Sequence, residues 1–385
     1  MRDLPNANLC SCLKWLEFRL QLVLILEQNK RIPALSFYYK NKGSSLWRSA
    51  QNHVGCFNKR SKEDEAMLKN IGLINPNTSS VAIYDARSSL KAMSNMLKGG
   101  GYENTDYYSN CTIEFCSIDN IFAVVNAYDS LWNCVKSNTV LKNNQAIYSS
   151  IEKSNWYGLI SVLLKSANAI VEDLHGFRKS VLVHCSDGWD RTAQMCGLAQ
   201  IMLDPYARTI EGLEVIIEKE FWSFGHSFDS RWGHLWDSKH KNNKRSPIFI
   251  QFLDCVYQLL VQFPTKFQFN NNFLCFIAYH TYTWKFGTFL LDTEKYRMQN
   301  KLSDKTVSIW TYVNNNVDKF YNPFYEGWSE ERLEVWSDII SLKLWKEYFL
   351  KWTSHSKLGE DEDLFVLPDP RDEMMRKLLA EKTLQ

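Results

Sequence analysis

The stretch that decides the fold reads Ser180-Val181-Leu182-Val183-His184-Cys185-Ser186-Asp187-Gly188-Trp189-Asp190-Arg191-Thr192. Its first five residues, rich in β-branched and apolar side chains, predict a buried strand. Seven polar-rich residues follow, Cys185 to Arg191, and then Ala193, Met195, Leu198, Ile201, Met202 and Leu203 recur on the apolar positions of a helix. A strand that passes through a short loop directly into a helix is the unit of an α/β domain.

Working outward, the same alternation recurs. Upstream, Trp156, Leu159, Ile160, Leu163, Leu164, Ala167, Ile170 and Val171 mark a helix that Gly176 stops. Val81–Tyr84 is short, apolar and β-prone; after Asp85, Ala86 and Arg87 the apolar period through Leu90, Met93 and Leu97 predicts a helix ending at Gly99. Ile113, Phe115 and Ser117 alternate with Glu114 and Cys116 as in a strand, and Ile121 to Val135 returns to helical spacing. The C-terminal half is mostly helical in pattern: Ile210 to Phe221, a run opened by Ser246 as cap and Pro247 in the first turn, then Phe273 to Leu291. Glu360 to Asp363 is acidic, and a charged tail follows.

Composition narrows the function. A chain of 385 residues with 45% hydrophobic and 23% charged residues can bury a large core. Its net charge of +2 gives no reason to expect nucleic acid as a partner, so any anion site must be local. Ten cysteines without regular spacing fit a reducing compartment, and no pair of CxxC motifs sets up a zinc site. The apolar run Leu20 to Leu26 is too short to span a bilayer, and Phe267 to Trp284 is too polar, so work on a membrane would be done from the water side.

Cys185 closes the strand and Arg191, six positions on, opens the helix. A loop turning through Gly188 can aim backbone N–H groups inward, the helix start adds partial positive charge, and a guanidinium holds two phosphoryl oxygens at once. The same surroundings favour a thiolate, the form in which cysteine is a nucleophile. The expected chemistry is a double displacement, in which Cys185 attacks phosphorus, an acid protonates the leaving alkoxide, and water hydrolyses the phosphocysteine. Asp190 and Asp187 both lie in the loop as possible acids, and Asp190 is the choice; Thr192 could hydrogen-bond the thiolate and help it leave.

At these residues the chain resembles the myotubularin family of cysteine-based phosphoinositide phosphatases. HCSDGWDRTAQ at 184–194 is similar to the family signature throughout. From about Arg31 to about Trp352 the resemblance adds KRIPALS at 30–36, KRSKEDE at 59–65, DAR at 85–87, KGGGYE at 98–103, LDPYARTIEG at 203–212, RSPIFIQFLDCV at 245–256, FGTFLLD at 286–292 and LKLW at 342–345. It implies a phosphatase domain over 31–355, an N-terminal extension over 1–30 and a charged tail over 356–385. The implied fold is of the tyrosine-phosphatase class, with a central mixed sheet flanked by helices and a large helical C-terminal part.

The implied activity is removal of the D3 phosphate from phosphatidylinositol 3-phosphate and the 3,5-bisphosphate, without a cofactor or metal. The catalytic residues would be Cys185, Arg191 and Asp190. Head-group contacts would come from Asn95, Asn120, Ile121, Ser186, Asp187, Gly188, Trp189 and Arg231. The implied partners are a phosphoinositide head group at a membrane surface and a second family member, of the same or another kind; the implied place is the cytoplasm, peripherally on endosomal-type membranes. The other reading is a silent adaptor that binds the lipid without turning it over.

Plainer roles stand beside several of these. Asn95 could bond a free carbonyl at a helix end, Asn120 could cap the next helix, and Arg231 could be a surface ion pair. Two departures matter. Ser227 stands where the family usually has a basic residue, which weakens the expectation for the bisphosphate. About 30 leading residues are too few for the family's lipid-binding domain of the GRAM type.

Overall fold

The computed structural model describes residues 32–55, 60–136, 149, 151–233 and 244–351; the extension over 1–30 and the tail over 356–385 lie outside them. The protein is a mixed α/β chain that divides into two compact units. The first comprises the residues up to Ile118 together with Ser166–Cys196, and the second Asp119–Lys165 and the residues from Gly197 on.

The first unit is built on five strands, β1 (Ala34–Tyr39), β2 (Ser44–Ser49), β3 (Val81–Asp85), β4 (Cys111–Phe115) and β5 (Ser180–His184), in the order β1-β2-β5-β3-β4. The first pair is antiparallel and every other neighbour is parallel. Strands β3 and β5 are buried along their whole length, which is why they read as continuous apolar runs. Helix α1 (Lys62–Ile74) covers one face, packing Leu68 and Ile71 on Val81, Ile83 and Leu182. Ser61 caps α1 by accepting the Asp64 amide. The opposite face carries Tyr84, whose hydroxyl donates to Asp173 Oδ2 at 2.8 Å.

The sequence pattern passes over β1 and β2 because β2 is serine-rich. Its serines are buried and satisfied instead: Ser44 donates to the Leu174 carbonyl at 2.7 Å, and the Ser45 hydroxyl pairs with Ser180 at 3.0 Å. Helix α2 (Ser89–Met96) then departs from its expected packing, since Ala92 is its one fully buried residue while Leu90, Met93 and Leu97 face outward.

Helices α3 (Ile121–Lys136), α4 (Trp156–His175) and α5 (Arg191–Leu203) follow, the unit boundaries falling inside α4 and α5. The second unit continues with α6 (Ile210–Ile216), which widens into a π-helical turn over Ile217–Ser223, then α7 (Phe228–Trp232), α8 (Ile248–Gln262) and α9 (Asn271–His280). Its core is aromatic: Phe221, Phe228, Phe249, Phe252 and Phe289 pack ring against ring. Ser246 does not cap α8; its hydroxyl donates to the Ile121 carbonyl at 2.8 Å, and Pro247 occupies the cap position. The helix expected over Phe273 to Leu291 stops at His280, and a single 3₁₀ turn, Gly287–Phe289, follows. No described helix is long and apolar enough to cross a membrane.

Candidate active site

The site is assembled in the first unit, where β5 ends between two parallel neighbours. His184 pairs with Ser49 of β2 and Asp85 of β3, so three strand ends stop level with one another. The chain then crosses from sheet to helix in Cys185–Asp190, and α5 opens at Arg191 with the Gln194 amide bonded to the Asp190 carbonyl at 3.1 Å. Two backbone bonds tie the loop to its neighbours: Ala86 N–H to the His184 carbonyl at 2.9 Å, and Gln51 N–H to the Ser186 carbonyl at 3.2 Å.

Gly188 makes the turn. Its φ is +78°, and a Cβ there would lie 2.5 Å from the Ser49 carbonyl oxygen, so no other residue fits without moving β2. Its N–H points back at the Cys185 sulfur, 3.3 Å away, and its carbonyl accepts from the buried Arg48 guanidinium at 2.6 Å. A donor aimed at sulfur stabilises negative charge there. Cys185 is 3% exposed.

Arg191 is held from two sides, with Nη1 on the Ile118 carbonyl at 3.1 Å and Nη2 3.4 Å from Ser186 Oγ. The Asp190 side chain is buried, and the Thr192 hydroxyl is buried without a hydrogen-bond partner among the described residues. An orphan hydroxyl one residue past Arg191 is a donor in reserve for a group that enters the loop.

Below the loop lies a charged floor that local sequence spacing does not announce. His184, fully buried, puts Nε2 3.0 Å from Glu103 Oε2. Burial by itself would lower the imidazole's pKa, but the charges of Glu103 and Asp85 outweigh it and raise it to about 9. Arg87 is locked bidentately to Asp85, donates to the Gly101 carbonyl at 2.7 Å, and bonds Gln51 Oε1. Arg48, Gln51 and Glu103 went unmarked because each meets its partner across more than 30 residues of chain.

Of the residues anticipated from sequence, Cys185 to Arg191 and Asn95 belong to the first unit. Asn95 sits near the end of α2 with Nδ2 3.4 Å from Gln51 Oε1, and its carbonyl accepts from Gly100 N–H at 3.0 Å. Asn120, Ile121 and Arg231 belong to the second unit. Asn120 caps α3, its Oδ1 accepting from Phe122 N–H at 2.9 Å and Ala123 N–H at 3.2 Å. Arg231 is buried and donates to the Lys244 carbonyl at 3.1 Å, so it is not a surface ion pair. Among the described residues, no three His, Cys, Asp or Glu side chains converge as metal ligands.

The fold and this geometry define a class: a mixed α/β protein whose central strand delivers a buried cysteine into a turn where the Gly188 amide meets the sulfur and an arginine opens the following helix. The chain belongs to the myotubularin-like phosphatase family, whose domain model matches residues 19–298. It is 39% identical over 361 residues to myotubularin of Rattus norvegicus, covering 94% of this chain and 58% of that protein. It is 41% identical over 350 residues to the phosphatidylinositol-3,5-bisphosphate 3-phosphatase MTMR2 of Mus musculus, covering 89% of this chain and 52% of that protein. The chain thus spans little more than half the length of these relatives.

Proposed function

We propose that this chain is a phosphoinositide 3-phosphatase of the tyrosine-phosphatase fold class that works through a phosphocysteine. The observation that carries the reading is the Gly188 N–H directed at the Cys185 sulfur inside a turn that Arg191 closes. The name of the mouse relative, a 3-phosphatase of the 3,5-bisphosphate, supports the substrate class.

In the first step the Cys185 sulfur donates an electron pair to phosphorus, the phosphorus–oxygen bond to the inositol breaks, and Asp190 protonates the departing alkoxide. Loop amides and the Arg191 guanidinium carry the charge that builds on the equatorial oxygens. In the second step water attacks phosphorus, Asp190 takes its proton, and sulfur leaves as thiolate, with the Thr192 hydroxyl as its donor. Inorganic phosphate is released. Within the first unit, Ser186, Asp187, Gly188, Trp189 and Asn95 are assigned to the head group.

The test is phosphate release by the full chain from phosphatidylinositol 3-phosphate and, in parallel, from the 3,5-bisphosphate. The expected result is turnover that Cys185→Ser lowers by at least about a thousandfold and that a chelator leaves unchanged. With Ser227 in place of a basic residue, the more anionic bisphosphate is expected to bind less tightly, which the parallel assay reads directly. Binding without turnover of either lipid would sink the proposal and leave the adaptor reading.

A further inference from the structure

Leu90, Met93 and Leu97 pose a packing problem that the fold leaves unsolved. At 3.6 residues per turn they fall within an arc of roughly 60° on α2, the arrangement that ordinarily faces a core. Here the face is turned out: Leu90 is 77%, Met93 53% and Leu97 79% exposed. No described residue of the chain pays back that exposure by covering the stripe.

The charged residues of the segment itself are of one sign. Lys91 and Lys98 are exposed and share one flank of the stripe, seven residues apart, and no Asp or Glu occurs from Ala86 to Tyr102. The helix is also indexed to the catalytic loop. Asn95, between Met93 and Leu97, lies 3.4 Å from the Gln51 side chain, and the Gln51 amide bonds the Ser186 carbonyl at 3.2 Å. At the other end, Arg87 just before α2 is locked to Asp85 and Gly101. A displacement of α2 is therefore felt at the loop.

We infer that α2 docks this chain on an anionic lipid surface: Leu90, Met93 and Leu97 enter the acyl boundary, Lys91 and Lys98 meet the lipid phosphates, and the Cys185 loop is held at head-group depth. The chemistry favours a bilayer over a protein partner. Three aliphatic side chains on a short helix offer far less than the roughly 800 Å² per partner that a stable protein interface buries. An apolar stripe with lysines along its flank is the pattern of a helix lying in the membrane interface, where lysine stems follow the apolar surface and their heads reach phosphate. The purpose of this contact rests on the phosphoinositide reading; the contact itself does not.

The experiment compares the unaltered 385-residue chain with the triple variant Leu90→Ser/Met93→Ser/Leu97→Ser and with Lys91→Glu/Lys98→Glu. Co-sedimentation uses vesicles of phosphatidylcholine with and without phosphatidylserine. Hydrolysis is measured on phosphatidylinositol 3-phosphate in those vesicles and on its water-soluble short-chain form. All five residues are exposed, so near-ultraviolet dichroism and melting should match the wild type. The triple variant is expected to lose roughly tenfold or more in vesicle binding and in vesicle hydrolysis while keeping its rate on the soluble substrate. The lysine variant should lose binding only where phosphatidylserine is present, and less so at high salt. Unchanged sedimentation of the triple variant overturns the docking surface, as does loss confined to a protein partner. Loss of sedimentation with no hydrolysis of either substrate would leave the docking surface standing and remove the phosphatase reading instead.

Discussion

A charged imidazole at the foot of the Cys185 loop ties that loop to the stability of the fold at His184. Its folded pKa of about 9 stands above the ordinary 6.5, so its pairing with Glu103 stabilises the fold fully below about pH 6.5 and is lost as the pH rises through about 9. Glu103→Gln keeps an acceptor but removes the charge, and burial then acts on His184 unopposed by its nearest partner. The expected cost is about 2 kcal/mol at neutral pH, with a smaller decline in urea midpoint between pH 6.5 and 9 than in the wild type. A variant whose midpoint tracks the wild type across that range would show the pair to be unimportant. That Cys185, Gly188 and Arg191 share one strand-to-helix loop was legible from sequence because the three lie within seven residues between two apolar periods. Glu103 and Arg48 were not, since a partner 81 or 140 residues away leaves no spacing to read. Asn120 was legible as either cap or contact, and its capping bonds to Phe122 and Ala123 are satisfied within α3 itself.

Helix α8 illustrates what an element hides. It is apolar almost throughout, yet it carries Asp254 fully buried, bonded by Trp156 Nε1 at 2.7 Å and by Gln258 Nε2 at 2.7 Å. Burial raises this carboxyl from 3.8 to about 7. The folded state therefore holds a proton that the unfolded state gives up near pH 4, and stability falls as the pH rises from about 4 through 7. Asp254→Asn removes that decline, so thermal melts at pH 5 and pH 8 should differ less than in the wild type. The substitution also mispairs one donor, at about 1–2 kcal/mol; an unaltered pH trend would contradict the assignment. Strands β3 and β5 and helices α3 and α4 were legible because burial on a regular period is written directly into residue type. Strands β1 and β2 were not, because serines satisfied by distant carbonyls and hydroxyls look like loop. The α2 period was legible, but not which way it would face.

For the molecule as a whole, the alternating half and the helical half announced themselves, whereas the stitches within each unit did not. Arg208 is the clearest stitch: fully buried, it donates to the carbonyls of Ile201 and Met202 at the end of α5 and to that of Glu331, more than 120 residues on. A guanidinium there satisfies helix-end carbonyls and ties the chain at Glu331 to them at once. Arg208→Ala should cost about 3–5 kcal/mol, read as a lowered denaturant midpoint; a loss under about 1 kcal/mol would mean that water replaces it freely. Accessibility across the described cysteines has a practical sequel. Cys116 and Cys134 are half-buried, while Cys185 is buried. Among the described cysteines a bulky maleimide is therefore expected to label Cys116 and Cys134 ahead of Cys185, so labelling at those two sites can be followed while the Cys185 loop stays unmodified.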